Sequence, residues 1–535
     1  MLRHRPRPDL GGSSRDEATT PTAGTRWGRR GRTLVASLRR DRRLGAGVTA
    51  AIAAGYGLTA AWWTPRGPIG TVEALAAIGV GLLVGTLAGL ALRSRWAMLL
   101  APAVFVGVLE VARAGLAGPT VDGIHLGGEF GPIAFVLGRG LHGVLTLIPM
   151  LLGAALGAAA ARRLSCTAKR PHGWARTGPW MRRTLTAVVT VGLLVLTFGI
   201  ARPASTAPIL AADGTRLVGS VAELTRVPIG GHSLAMMIRS DSVTNPVLLF
   251  LAGGPGGSEL GAMRRHGQAL EQTFVVATFD QRGTGKSYDA LEPTSTLTLQ
   301  QAVDDTIEVT NYLRGRFHQD KIYLVGNSWG SLLGVLAAKA HPELFRAFIG
   351  SGQMVDPLET DLIYYQDTLA WARRTGNAAV TTKVTASGPP PYTNMLDYEA
   401  ILTHETDVYP YDDSREAEST GGFSTNIFVR EYSLMEQLQL FPAFMDVFTV
   451  LYPQLQAIDF RTQVTSLDVP VYLVQGGHET RARSLPATEW FTALDAPKKS
   501  LIIFEGSGHR ALFQQPERFA RYLTDTVLPQ TRPTT

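Results

Sequence analysis

Residues Lys321–Gly330 read K-I-Y-L-V-G-N-S-W-G, and the fold turns on them. Ile322 to Val325 are apolar and β-prone, which predicts a buried strand, and Gly326 and Gly330 then bracket Ser328 at the spacing G-x-S-x-G. A serine at a sharp strand-to-helix turn sits in strained backbone, and the flanking glycines leave room for neighbouring chain. The helix that should follow is visible in Ser331 to Ala340, rich in Leu and Ala and stopped by His341-Pro342. So short a pattern arises readily by chance, so the rest of the chain has to supply a base, an acid and donors for an oxyanion.

The two halves of the chain differ in charge. Residues 1–205 hold 25 Lys+Arg against 8 Asp+Glu, whereas residues 206–535 hold 26 against 36, so net +17 stands beside net −10 within an overall +7. A basic half carrying long apolar runs suits a membrane anchor next to anionic lipid, and an acidic half without such runs suits a water-exposed domain. Nucleic-acid binding fits poorly, because the basic residues flank apolar segments instead of lining one amphipathic face. The single cysteine, Cys166, can form no disulfide within the chain and no cysteine-based metal site.

In chain order, residues 1–43 carry 12 Arg among Gly, Ser, Thr and Pro and read as a disordered basic tail. Residues 44–205 form a membrane region, with apolar stretches at Leu44 to Trp63, Thr71 to Leu92, Trp96 to Val111, Leu141 to Ala161 and Leu185 to Ile200. About 20 residues cross a bilayer core, so five helices are expected, the third being short. With the tail placed inside, the inner segments carry 21 basic residues and the outer ones four, Arg66, Arg113, Arg139 and Arg202. The positive-inside rule then makes the N-terminus cytoplasmic, and five crossings put the remainder outside the cell membrane. Ala112 to Gly140 reads as an external loop or a re-entrant segment, with Glu110 and Arg139 near span ends where charge is cheap.

Residues 206–535 change character. Leu217 to Arg239 reads as a β-hairpin turning at Gly230-Gly231; Pro246 to Ala252 and Phe274 to Phe279 are strands; Leu299 to Phe317 is a helix. After the Ser328 turn, strands recur at Phe345 to Gly350, Val471 to Val474 and Leu501 to Phe504, with helices at Ala487 to Leu494 and Pro516 to Thr524. The alternation predicts an α/β fold, a mostly parallel sheet covered on both faces. It stops between about 353 and 468, where helical stretches, Pro389-Pro390-Pro391 and a polar run Asp412 to Gly422 read as a lid.

A serine hydroxyl needs a general base, normally a histidine oriented by a carboxylate. His509, in F-E-G-S-G-H after the last strand, would emerge at the same carboxyl edge of the sheet as Ser328. The loop after Val471 to Val474 reads Q-G-G-H-E-T-R, and Glu479 is its only carboxylate; Asp468 precedes that strand and belongs at the opposite edge. His478 reads as a polar-network residue. For the oxyanion, one donor is expected from the Trp329 amide and another from Gly253 or Gly254 in the glycine loop A-G-G-P-G-G. G-T-G-K-S at Gly283 to Ser287 lacks the full phosphate-loop spacing, and the pattern calls for no metal or cofactor.

Taken together, A-G-G-P-G-G (Ala252 to Gly257), F-D-Q-R-G-T-G-K-S (Phe279 to Ser287), G-N-S-W-G-S (Gly326 to Ser331) and G-S-G-H (Gly506 to His509) resemble the proline iminopeptidase family of α/β-hydrolases. The resemblance covers most of residues 215–525 except the lid, and none of the membrane half. It implies that the glycine loop and the residue after the serine form the oxyanion hole, that D-Q-R-G is a structural turn, and that the lid binds the substrate's free N-terminus. Three positions depart from the pattern: Ala252 replaces a histidine, Asn327 a glycine, and Glu479 an aspartate.

An aminopeptidase also needs a carboxylate for the α-ammonium group, and Glu399, Glu405, Glu431 and Glu436 are the lid candidates. The expectation is thus a membrane-anchored serine peptidase working through an acyl-enzyme on peptides or small amides, with the lipid bilayer as its other partner. An esterase or lipase acting on ester or lipid-derived substrates would use the same machinery, and a non-catalytic sensor coupled to the helices is the reading from another class.

Overall fold

The computed structural model describes residues 41–63, 69–116, 124–126, 128–163, 177–409 and 423–532. The basic tail through residue 40, the cysteine and the polar lid run 412–422 lie outside the described residues.

Five helices are described in the N-terminal region: α1 (Arg42–Trp63), α2 (Thr71–Leu92), α3 (Ala97–Ala112), α4 (Phe130–Arg163) and α5 (Thr177–Ala201). α1, α2, α4 and α5 are long and apolar enough to cross a membrane, and α3, at 16 residues, is the short one expected. Glycines allow the closest packing. A Cβ at Gly85 or Gly89 of α2 would collide with the backbone of α4, and one at Gly153 or Gly157 of α4 with that of α2. α5 instead leaves Val195 and Phe198 exposed on its outer side.

α4 begins at Phe130, not at Leu141 as the glycine-rich sequence suggested. Its first half passes through two π-helical turns, Val136–Gly140 and Gly143–Leu147, and Arg139 is carried there as an ion pair with Glu110 of α3 at 3.2 Å. Pairing lowers the cost of keeping a charge in the apolar segment, so the helix extends where composition alone reads as loop.

The C-terminal region is built on an eight-stranded sheet, ordered β1-β2-β4-β3-β5-β6-β7-β8. The strands are β1 (Val221–Ile229), β2 (His232–Ser240), β3 (Val247–Leu251), β4 (Val275–Phe279), β5 (Ile322–Asn327), β6 (Phe345–Ser351), β7 (Val471–Gly476) and β8 (Lys499–Phe504). The hairpin β1–β2 and the β2–β4 pair are antiparallel, and every later pairing is parallel. All five residues of β3 and of β4 are buried, as are all six of β5, as expected of parallel strands covered on both faces. α6 (Leu299–Phe317) and α7 (Trp329–Ala340) pack on this sheet.

Between β6 and β7 lie the lid helices, chief among them α8 (Pro357–Arg374) and α9 (Leu434–Leu451). α9 is well defined at its start, where Ser433 and Glu436 form a reciprocal capping box. It is also where the two halves of the protein meet. Met435 joins Ile69, Ile78, Leu145 and Ile200 in one apolar cluster, and Phe441 meets Phe130 edge to face with ring centroids 6.1 Å apart.

Candidate active site

β5 delivers Ser328 into a turn with φ 52° and ψ −120°, a strained geometry for a non-glycine residue. The sequence enforces it on both sides. A Cβ at Gly326 would strike the Gly330 carbonyl, and one at Gly330 would strike the Leu251 carbonyl on β3, so only glycine fits either position. The Ser328 amide donates to the Ser351 carbonyl at 2.9 Å, which fixes the turn to the neighbouring strand.

His509 arrives on the loop after β8. That loop packs so closely on the end of β7 that a Cβ at Gly476 would collide with Gly508, and the His478 amide donates to the Ser507 carbonyl at 2.9 Å. Gly352, at φ 55°, packs closely against His509: a Cβ there would stand 2.8 Å from Cε1. Ser328 and His509 line one pocket of about 70 Å³ at the carboxyl edge of the sheet, with Phe444 of α9 and Asn426 as its lid-side wall.

Glu479 lies behind His509, with Oε2 2.6 Å from Nδ1. A carboxylate on Nδ1 selects the tautomer protonated there and leaves Nε2 as the acceptor. Burial opposes charge on Glu479, but His509, the Arg483 guanidinium and the Thr480 amide overcome that and hold the carboxyl down to about 2. The arrangement continues outward. Arg483 is 3.5 Å from Glu479 and donates to Glu405 at 2.9 Å, and its guanidinium lies over the Tyr364 ring. Asp468 is exposed at the start of β7, at the opposite edge.

The candidate oxyanion donors divide unequally. The Gly253 amide is already taken, donating to Glu259 Oε2 at 2.9 Å, so of the two glycines named from the sequence Gly254 is the one left as a candidate. Neither the Gly254 nor the Trp329 amide donates to another group among the described residues. Gln281, from the D-Q-R-G turn, holds the two sides together: it accepts from the Trp329 indole at 2.8 Å and donates to the Ala252 carbonyl at 3.2 Å. In the same turn, burial pushes Asp280 up to about 7 despite hydrogen bonds from the Lys286 amide and Tyr432.

The four lid glutamates are not brought to this pocket. Glu399 pairs with Lys383 at 3.0 Å and accepts the backbone amide of Glu129, next to α4. Glu405 serves Arg483 and Tyr364, Glu431 lies 3.3 Å from Arg264, and Glu436 holds Lys286 at 2.7 Å besides capping α9. Each carboxylate is thus committed to a basic group or a helix end. The carboxylate that does line the pocket is Glu259, which the sequence motifs do not single out. Its one signal is a charged residue following the glycine loop, F-L-A-G-G-P-G-G-S-E, in an otherwise small and apolar run.

The chain resembles several known proteins. The chain is 28% identical over 308 residues to the probable aminopeptidase YbaC of Bacillus subtilis, covering 57% of this chain and 96% of that protein. It is 30% identical over 145 residues to a probable proline iminopeptidase of Leptolyngbya boryana, 27% of this chain and 43% of that one. Among solved structures, a proline iminopeptidase-related protein from Thermus thermophilus aligns at TM-score 0.42 and 19% identity, covering 58% of this chain and 99% of that chain. The sequence profile of the alpha/beta hydrolase fold matches residues 246–516, just over half of the 535-residue chain, and the protein belongs to that family.

Proposed function

We propose that the protein is a membrane-anchored serine hydrolase of the aminopeptidase type, releasing N-terminal proline or small apolar residues from peptides through an acyl-enzyme. The observation that carries this is the pairing of His509 Nδ1 with Glu479 at 2.6 Å in the loop that shares a pocket with Ser328. In the reaction, His509 Nε2 takes the Ser328 proton as Oγ attacks the carbonyl carbon, and Gly254 and Trp329 donate to the oxyanion. His509 then protonates the leaving amine, and water attacks the acyl-enzyme by the reverse route.

The choice of substrate rests on the relatives named as an aminopeptidase and a proline iminopeptidase, and on a pocket of about 70 Å³, which suits a small acyl part. Topology has internal support. The C-terminal region touches Ile69, Glu129, Phe130 and Ile200, which all lie toward the ends of the helices assigned outward by the charge count. On this reading the four helices of sufficient length and the fifth short one are the spans of a multi-pass protein, and the charge count supports a cytoplasmic N-terminus with the hydrolase outside.

A fluorophosphonate probe is expected to label the wild type and not Ser328→Ala; absence of labelling in folded wild type would sink the serine reading. Prolyl p-nitroanilide, its N-acetyl form and p-nitrophenyl esters then divide the substrates. Faster turnover of the blocked compound would reject the free-amine requirement. External protease that spares the hydrolase in intact cells but cuts it after lysis would reverse the topology.

A further inference from the structure

Within itself, the glycine loop that supplies one oxyanion donor is closed by a single backbone hydrogen bond among the described residues, from the Gly257 amide to the Gly253 carbonyl at 3.2 Å. Gly254 and Gly256 sit at φ 131° and 96°, and glycine loses the most freedom on being ordered. The loop is nevertheless close against the elbow: a Cβ at Gly253 would lie 3.4 Å from that of Ser328. Two side chains tether it. Gln281 holds the Ala252 carbonyl, and Glu259 holds the Gly253 amide.

Glu259 reaches further than the loop. Its Oε1 lies 3.4 Å from Asn327 Nδ2, beside the nucleophile, and 3.6 Å from Arg510 Nη1, beside the base. One carboxylate, 5% exposed, therefore meets the oxyanion loop, the elbow and the histidine loop. Asn327 is one of the positions where the chain departs from the family pattern it resembles, and Glu259 is what its amide faces. A buried carboxylate is costly, and burial raises its titration point although Arg510, the Gly253 amide and Asn327 pull it down. Arg510 also offsets a negative charge that would otherwise oppose an oxyanion forming nearby.

We propose that Glu259 is the positioning residue of the oxyanion hole, its carboxylate fixing the Gly253–Gly254 strand against Asn327 and Ser328 so that the Gly254 amide stays aimed at the developing charge. The inference rests on the serine reading above. Glu259 transfers no proton and need not touch substrate; it acts through the amide it holds. A loosened loop costs mainly the transition state, where the oxyanion exists, and little of ground-state binding.

The test uses the full chain in detergent and two probes that do not depend on the natural substrate, p-nitrophenyl acetate and phenylboronic acid, which forms a tetrahedral adduct on an active serine. Glu259→Ala is expected to lower kcat about 10²-fold, with KM within about threefold, and to weaken phenylboronic acid at least tenfold. Glu259→Gln keeps an acceptor for the Gly253 amide and is expected to recover most of both losses. Equal impairment in the two variants, or a kcat loss with unchanged boronate affinity, would overturn the proposal. If the wild type neither turns over the ester nor takes a fluorophosphonate at Ser328, the serine reading itself fails and takes this inference with it.

Discussion

The side-chain amide of Gln439 and the backbone of Ile69 exchange two hydrogen bonds: Gln439 Nε2 donates to the Ile69 carbonyl at 2.6 Å, and the Ile69 amide donates to Gln439 Oε1 at 2.8 Å. Both residues are buried, and they join the lid helix α9 to the approach to α2. Gln439→Ala would leave two buried backbone groups without partners, a loss of roughly 1–3 kcal/mol for each. The expected outcome is a lower Tm for the full chain in detergent, with faster proteolysis of the lid; an unchanged Tm would show that the contact carries no stability.

Gly352 backs His509, the proposed base. Gly352→Ala places a methyl about 2.8 Å from His509 Cε1 at a φ that L residues rarely adopt, so the ring has to move. A displacement near 1 Å costs catalysis about 10²-fold, and a loss of that order is expected in both ester turnover and the rate of fluorophosphonate labelling. Full activity in this variant would mean that His509 is not the base.

Glu479 ties pH to stability as well as to rate. Its carboxyl is held down to about 2 in the fold, below its usual range, so its contribution is present above about pH 4 and is lost as pH falls through 2. Glu479→Gln is expected to flatten the fall of Tm across that acid window and to reduce kcat by about 10³–10⁴-fold, because the wrong imidazole tautomer is then favoured. A variant that melts in parallel with the wild type from pH 5 to 2 would contradict the assignment.

Asp361 of α8 has the opposite sign. Burial pushes it up to about 7 although Tyr452 and Tyr398 donate to it at 2.7 and 2.9 Å, so the protonated form suits the fold better than the charged one. Its contribution is present below about pH 4 and is lost as pH rises through about 7, and Asp280 adds to the same slope. Asp361→Asn should therefore lose less Tm than the wild type between pH 5 and 8, measured by thermal melts in matched buffers.

The sheet was legible because its strands are short apolar runs bounded by turn residues, and because glycines at 326 and 330 leave a serine only one geometry. Ser328, Glu479 and His509 follow from strand order, since each stands in the loop leaving the carboxyl end of a strand. What stayed hidden depends on partners remote in sequence. Gln439 and Ile69 are 370 residues apart, and neither carries a local mark of the other. The lid glutamates looked available for an ammonium group because Lys383, Arg483, Arg264 and Lys286 reach them only after folding. Likewise the early start of α4 brings Arg139 onto Glu110 of α3, a pairing that composition registers only as two separate charges.

The helix that carries Gln439 also carries Phe444, about 7.5 Å further along its axis, and Phe444 forms part of the wall over Ser328. One wall of the pocket that holds Ser328 and His509 is therefore borne by a helix that rests on the N-terminal region. A fragment cut free near Thr206 would retain the serine, the histidine and the glutamate yet lose the bearing against which α9 rests, so it would report the chemistry of this protein without reporting its selectivity.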